Sequence, residues 1–345
     1  MPLRRLPLAL GFAAALLLSR PAIEGLLAAQ PTTAPYRWSL PRGFPVPAVP
    51  ADNPMSDAKV ALGRRLFFEP SLSVTGKYSC ATCHEPARAF TDGRKVAIGA
   101  TGQATPTNAM SLTNVAYNVS FGWSTPNVRS LEDQMRQPML NDHPVEMGLK
   151  GREQQVLASL TADASWRSAF TAAFPEASGQ FELDHLIKAI AAFERTLICG
   201  HSAFDEYVFN GKHNALTPRA KRGMALFYSD RLGCSTCHSG FNFSGAWADA
   251  QDTPAEPTFA NNGVGTAATR VPTLRNVALT APYMHDGRLS TLEAVLDHYQ
   301  QAGPPLRRFT LTGAEAEEII SFLQSLTDPT FTAEFDGERT HPLSR

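Results

Sequence analysis

CATCH at residues 80–84 and CSTCH at residues 234–238 are two stretches of one shape, and together they use four of the chain's five cysteines. Two thiols separated by two residues, with an imidazole directly after the second, suit covalent attachment of a haem. The thiols add across its two vinyl groups, and the histidine is thereby set against the iron as proximal ligand. At this composition on the order of 0.002 copies of such a motif arise by chance. Zinc, the main rival for such thiols, needs a second pair of ligands close by, and neither stretch has one. The reading is two c-type haems, one held by Cys80, Cys83 and His84 and one by Cys234, Cys237 and His238.

What such an iron does depends on its other face. Methionine or histidine there makes an electron carrier, whereas an open face binds peroxide or dioxygen. After His84 no histidine occurs until His143, but Gln134, Pro138 and Glu146 do follow. A carboxylate over an open iron takes a proton from peroxide and returns it to the departing oxygen, which makes Glu146 an acid/base candidate. Gln134 can orient a bound oxygen by hydrogen bonding. Helix caps or solvated side chains account for both residues equally well.

In the second half, LSTLEAVLDHYQ (289–300) carries Leu292, Val295, Leu296 and Tyr299 on one helical face, with Ser290 and Glu293 expected as its capping box. Tyr299 points inward with the apolar residues, either as a core tyrosine or as a phenolate ligand to the second iron. His298, about 100° round the helix, is expected to face outward. Met284 and His285 fall on the preceding loop.

Helices must position these groups. Apolar residues recur at helical spacing in Val60, Leu62, Leu66 and Phe67, in Leu186, Ile190, Phe193 and Leu197, and in Ile319, Leu323 and Leu326. Thr312 with Glu315 is a capping box for the last of these, and Thr217 before Pro218 starts another helix. Strand alternation is scarce. LGRRLFFEPSLSVTGKYSCATCH and RGMALFYSDRLGCSTCH run in parallel, with Gly63, Leu66, Phe67 and Phe68 answering Gly223, Leu226, Phe227 and Tyr228. The expected fold is mostly α, with two cytochrome c-like haem domains related by internal duplication and long irregular loops. Folding begins near Ser56. The N-terminal domain covers 55–205 and the C-terminal one 206–345, behind a Pro-rich lead-in (30–54) read as extended rather than packed.

With 345 residues, 31 Lys plus Arg and 32 Asp plus Glu, the chain has room for two modest domains and no basic surface for nucleic acid. At the N-terminus, Arg4 and Arg5 precede an apolar run from Leu6 to Leu18, too short for a comfortable bilayer span, and Ala28 and Ala29 offer a cleavage region. Residues 1–29 read as a secretory signal, which places the body in the periplasm with no stable membrane insertion after cleavage. Cys199, the odd cysteine, is expected to be buried and idle. His201, His213 and His341 fit no motif and are expected at the surface, and Trp166 and Trp247 in the core.

Over roughly residues 50–330 the chain resembles the bacterial dihaem cytochrome c peroxidase and MauG family. The resemblance is carried by both CxxCH motifs, NAMSLTNVAYN (108–118), LEDQMRQPMLNDHPVEMG (131–148) and VPTLRNVALTAPYMHDGRLSTLEAVLDHY (271–299). It implies that Glu146 and Gln134 are the catalytic pair, and that Tyr299 is the distal ligand of the C-terminal haem, where the peroxidases carry methionine and MauG-like members tyrosine. It implies that Trp123 lies between the haems and that Asn108, Thr280 and Pro282 hold a calcium ion. His285, in the HDG loop, is expected near the haem, bonding a propionate. Two departures stand out: the segment between Gln134 and Glu146, which contains His143, is two residues longer than in the peroxidases, and Trp123 lies in FGWSTPN. GWSTPNVRSLEDQ and HPVEMG look most like the MbnH-type dihaem enzymes, which act on a secreted partner, MbnP, and convert one of its tryptophans to kynurenine.

The leading expectation is a periplasmic oxidoreductase that uses hydrogen peroxide to form a high-valent dihaem state and oxidises a partner protein. In that reading a hard oxygen donor at Tyr299 favours the higher oxidation states of iron. Two alternatives remain open: a peroxidase drawing electrons from a small cytochrome or cupredoxin, and a non-catalytic electron-transfer cytochrome.

Overall fold

Gly63 and Gly223 mark where each half is pinned together. A Cβ at Gly63 would stand 1.9 Å from the carbonyl oxygen of Ala189, and one at Gly223 would stand 1.9 Å from that of Glu318. Both helices therefore cross a partner at backbone-to-backbone distance, which only glycine permits. The computed structural model describes residues 36–251, 256–260, 262, 268–302, 306 and 308–335. The expected secretory signal, the first residues of the lead-in and His341 lie outside these.

In chain order the helices are α1 (Asp57–Phe67), α2 (Cys80–Cys83), α3 (Leu131–Leu140), α4 (Glu153–Ala162), α5 (Ala164–Ala173), α6 (Leu183–Glu194), α7 (Ala203–Val208), α8 (Pro218–Phe227), α9 (Leu292–Gln301), α10 (Gly313–Gln324) and α11 (Pro329–Ala333). The strands among the described residues are β1 (Phe259–Ala260) and β2 (Thr269–Arg270), antiparallel with Phe259 opposite Arg270. The mostly α expectation holds.

The crossing pairs are α1 on α6 and α8 on α10. Ser56 caps α1 by accepting from the Lys59 N–H at 3.2 Å, and Thr217 caps α8 by accepting from Ala220 N–H at 3.1 Å. Thr312 and Glu315 form the expected box at α10. At α9 the expectation shifts by one residue: Thr291, not Ser290, is the cap, accepting from Ala294 N–H at 3.2 Å. Both hydroxyl residues stand before the apolar run, and only backbone geometry decides between them.

Buried apolar side chains fall into two clusters. One gathers α1 and α3–α6 around Leu62, Phe67, Ile190 and Phe193; the other gathers α7–α10 around Phe227, Phe243, Ile319 and Phe322. The chain's last described stretch returns to the first cluster, where Phe331 and Phe335 lie 5.6 and 5.2 Å from the ring of Phe90. From residue 36 on, the lead-in is irregular, as its prolines dictate, but it is packed rather than free. Phe44 is buried against Phe241 and Tyr117, and Asn53 donates to Glu132 at 2.6 Å.

Two buried ion pairs brace the frame. Arg195 is bidentate on Glu132 at 2.9 and 2.8 Å, and Arg275 meets Asp205 at 2.9 Å with both side chains almost fully enclosed. Burial alone raises the Glu132 carboxyl, but the bonds from Arg195 and Asn53 outweigh it and hold the group below the usual carboxylate range.

Trp166 is buried, with the Arg65 guanidinium over its ring at 3.5 Å, and Cys199 is buried as a free thiol. Trp247 departs from the core expectation: it is 37% exposed, with one edge on Phe241. No described helix is long and apolar enough to cross a membrane.

Candidate haem sites

The proximal side is built twice from the same parts. α2 carries Cys80 and Cys83 on one turn, and His84 N–H donates to Cys80 carbonyl at 2.9 Å; His238 N–H donates to Cys234 carbonyl at 3.0 Å. Beyond each histidine the chain bends back. The Nδ1 of His84 lies 3.0 Å from the Phe90 carbonyl, and that of His238 lies 2.9 Å from the Phe243 carbonyl. With Nδ1 so committed, Nε2 is the nitrogen left for a metal.

Phe90 and Phe243 both take left-handed backbone angles, with φ of 62° and 53°, although each is fully buried. Such a conformation costs a bulky residue about 1–3 kcal/mol, so the surroundings must hold it. They do so alike: Ser111 Oγ donates to the Ala89 carbonyl and Thr273 Oγ1 to the Asn242 carbonyl, each at 2.6 Å, one residue before the strained phenylalanine. Burial lowers the pKa of both histidines, keeping the imidazoles neutral and fit to ligate.

The two sites differ in what faces them. His238, Cys234 and Cys237 open on a cavity of about 670 Å³, within the roughly 300–1,000 Å³ of small-molecule and cofactor sites. α9 forms another part of its wall through Leu292, Val295, Leu296 and Tyr299, the face expected from the sequence. The Tyr299 hydroxyl has no hydrogen-bond partner among the described residues. Burial, aided by the nearby Cys237 and Cys234 sulfurs, pushes its pKa up to about 12. A cation would have to draw that proton off, which is what a metal ligand experiences. Space, thiols, imidazole and facing oxygen donor all fit a c-type haem.

His84 opens on a cavity of only about 20 Å³, lined also by Gln134, Met110, Leu131 and Phe121. Here the donor set, two thiols and a pinned imidazole, carries the fit. Glu146 does not line this space. It is half-buried on the side of Cys83, whose thiol is pushed up to about 12 by burial, then by Asp92 and Glu146. Burial raises the Glu146 carboxyl above its usual range. Its backbone is clamped: Ala100 N–H donates to the Glu146 carbonyl at 2.7 Å, and Met147 N–H to Pro138 carbonyl at 2.8 Å. Gly99 lies so close that a Cβ there would stand 2.8 Å from the Glu146 Cα. His143 is exposed.

Trp123 lies on the wall of the larger cavity, its Nε1 donating to the Asn108 carbonyl at 2.9 Å and its own carbonyl accepting from Arg270 N–H at 2.8 Å. Asn108, Thr280 and Pro282 line the same cavity. Asn108 has committed its N–H to the His285 carbonyl and its side-chain NH₂ to the Arg94 carbonyl, which leaves Oδ1 as a hard donor. His285 lines neither cavity, and its buried Nδ1 has no partner among the described residues. His298 is half-buried rather than outward, with Nε2 2.7 Å from the Asn262 carbonyl.

Four residues border both cavities: Met110, Ser111, Asn118 and Arg270. None was singled out from the sequence. The signal available was a second echo, SLTNVAY (111–117) against TLRNVAL (273–279), in which Ser111 answers Thr273 and the left-handed Asn114 answers Asn276.

Residues 57–214 match the family model described as di-haem cytochrome c peroxidase. The methylamine utilization protein MauG of Methylorubrum extorquens is 33% identical over 304 residues, spanning 84% of this chain and 83% of that protein. The cytochrome c peroxidase Ccp of Escherichia coli is 34% identical over 303 residues, spanning 83% of this chain and 61% of the longer enzyme. Among solved structures, a MauG-like protein associated with microbial copper homeostasis superposes with a TM-score of 0.82 at 35% identity, covering 86% of this chain and 97% of that one.

Proposed function

The chain belongs to the di-haem cytochrome c peroxidase family that includes MauG, and from that premise we propose that it is a periplasmic enzyme that uses peroxide to oxidise a partner protein. Two c-type haems follow from the family, and the chain is an oxidoreductase of the peroxidase type. The observation that carries the finer reading is Tyr299, a proton-retaining hydroxyl with no hydrogen-bond partner among the described residues, on the wall of the cavity that His238 lines. When bound, the haems would supply the redox chemistry, with a peroxide-reactive iron in one site and a charge-storing iron in the other.

The chain's own residues divide the rest. His84 would ligate the iron of the small cavity, and Gln134, on the wall of the same cavity, would orient the peroxide oxygen by hydrogen bonding. Glu146, with its raised carboxyl but off the wall of that cavity, would take a proton from one peroxide oxygen through an intervening water and return it to the other, so that each peroxide leaves as two waters after gaining two protons and two electrons. His238 and Tyr299, which line one cavity, are the residues that would ligate the second iron. Trp123, fixed at Asn108 and Arg270 on the wall of the His238 cavity, is the relay this reading assigns between the two sites, and an aromatic side chain of the partner supplies the electrons.

The paired crossings at Gly63 and Gly223, with the paired Phe90 and Phe243 carbonyls, support two haem domains of common origin, 55–205 and 206–345. Oδ1 of Asn108 with the carbonyls of Thr280 and Pro282 is a donor set for calcium. The likeness to the copper-associated MauG-like protein supports a secreted MbnP-type partner whose tryptophan becomes kynurenine, a four-electron oxidation that consumes two peroxides and releases the lost carbon as formate, with one water net.

The peroxidase relative in Escherichia coli favours the second reading, in which a small cytochrome or cupredoxin supplies the electrons. Mixing the holoprotein with peroxide and an MbnP-type protein, followed by peptide mass spectrometry, separates the two. The proposal expects a modified tryptophan. An unchanged partner, with peroxide consumed only when reduced cytochrome is added, contradicts it.

A further inference from the structure

Arg270, in β2, is 8% exposed and stands in the partition, bordering the cavity of His84 on one side and that of His238 on the other. Its company is poor for a buried guanidinium. Nη2 meets the Met110 sulfur at 3.5 Å, a weak acceptor, and the buried Nε has no partner among the described residues. The other enclosed arginines are treated differently: Arg195 forks on Glu132 and Arg275 meets Asp205. Burial pulls the Arg270 pKa down to about 10, so the group is still charged at neutral pH. A charge enclosed without an anion is heavily penalised, and such a site is stable when its counter-ion arrives with another component. Both cavities that Arg270 borders are the ones the motifs assign to haems, and a haem brings carboxylates of its own.

We propose that Arg270 is an anion site shared by the two haems, its fork bonding propionate carboxylates from both sides of the partition and holding both reduction potentials up. The inference rests on the two-haem reading above. A planar fork with donors on two edges suits two carboxylates, as a point charge does not. A fixed cation beside each haem favours the reduced iron, which carries one positive charge fewer. The backbone of the same residue holds Trp123 at 2.8 Å, so strand, ring and counter-charge form one unit.

The test is a spectroelectrochemical titration of the holoprotein, with haem counted first by the pyridine haemochrome assay. In R270Q both midpoints should fall, each by about a tenfold change in the oxidised-to-reduced ratio at fixed potential, or about 59 mV for a one-electron couple. R270K should restore most of both shifts while altering the propionate bending bands of both haems in resonance Raman spectra. Unmoved midpoints in R270Q, or movement at one haem alone, overturn the proposal. If R270Q fails to load haem, the R270K Raman bands decide, and bands unchanged at both haems overturn it. Wild-type midpoints should be equal in chloride-free and chloride- or phosphate-rich buffers of matched ionic strength. Midpoints that follow the added anion assign Arg270 to a diffusible ion and overturn the propionate assignment. A wild-type protein with fewer than two haems contradicts the two-haem reading itself, whatever Arg270 does.

Discussion

His84 and His238 are held by the carbonyls of Phe90 and Phe243 at 3.0 and 2.9 Å, yet one imidazole faces about 20 Å³ beside Gln134 and the other about 670 Å³ beside Tyr299. The proximal halves match in motif, in strained phenylalanine and in the hydroxyl that holds it. The distal halves share nothing comparable. One frame thus fixes two imidazoles alike, and what lines the space beside them differs: α3 residues Leu131 and Gln134 in one half, α9 in the other.

The largest effect should come from breaking the distal side of the first site. Glu146→Gln removes the proposed proton carrier without changing shape and should slow the reaction with peroxide by about 10²–10⁴, measured by stopped-flow mixing. The pH profile sharpens this. Burial raises the Glu146 carboxyl, and a base works only when deprotonated, so the wild-type rate should fall as pH drops through that raised value. In the variant that acid limb should disappear. An unchanged rate and limb would remove Glu146 from the chemistry and leave the two sites distinguished by cavity size, Gln134 and Tyr299.

A smaller effect tests what the halves share. Gly63→Ala and Gly223→Ala each drive a Cβ against a backbone oxygen. Overpacking costs about 1–3 kcal/mol, and backbone yields least, so the upper end applies. The gain in helix propensity, about 0.8–1 kcal/mol, recovers only part of it. Each variant should lose about 2 kcal/mol in denaturant unfolding of the holoprotein. A loss at one glycine only would show that the crossings are not equivalent.

Much of this frame is legible in the chain. The CxxCH spacing is dictated by covalent attachment, and the α1/α8 echo carries its glycines because helices crossing this closely admit no side chain. The inward face of α9 follows from helical period. What is not legible depends on partners distant in sequence. Nothing local to Arg270 tells that its side chain meets Met110 and no carboxylate among the described residues, nor that Ser111 and Thr273 brace a strained turn. The shift of a cap from Ser290 to Thr291 and the exposure of Trp247 are set by tertiary packing, which outweighs local preference.

The division of labour between the two sites is tested most directly by electron paramagnetic resonance of the oxidised holoprotein, before and after peroxide, in wild type and Tyr299→Met. The account predicts one high-spin haem that responds to peroxide in both proteins, and one low-spin haem whose signal alone changes with the substitution. Two low-spin haems indifferent to peroxide, or a low-spin signal unaltered by the loss of Tyr299, would contradict it.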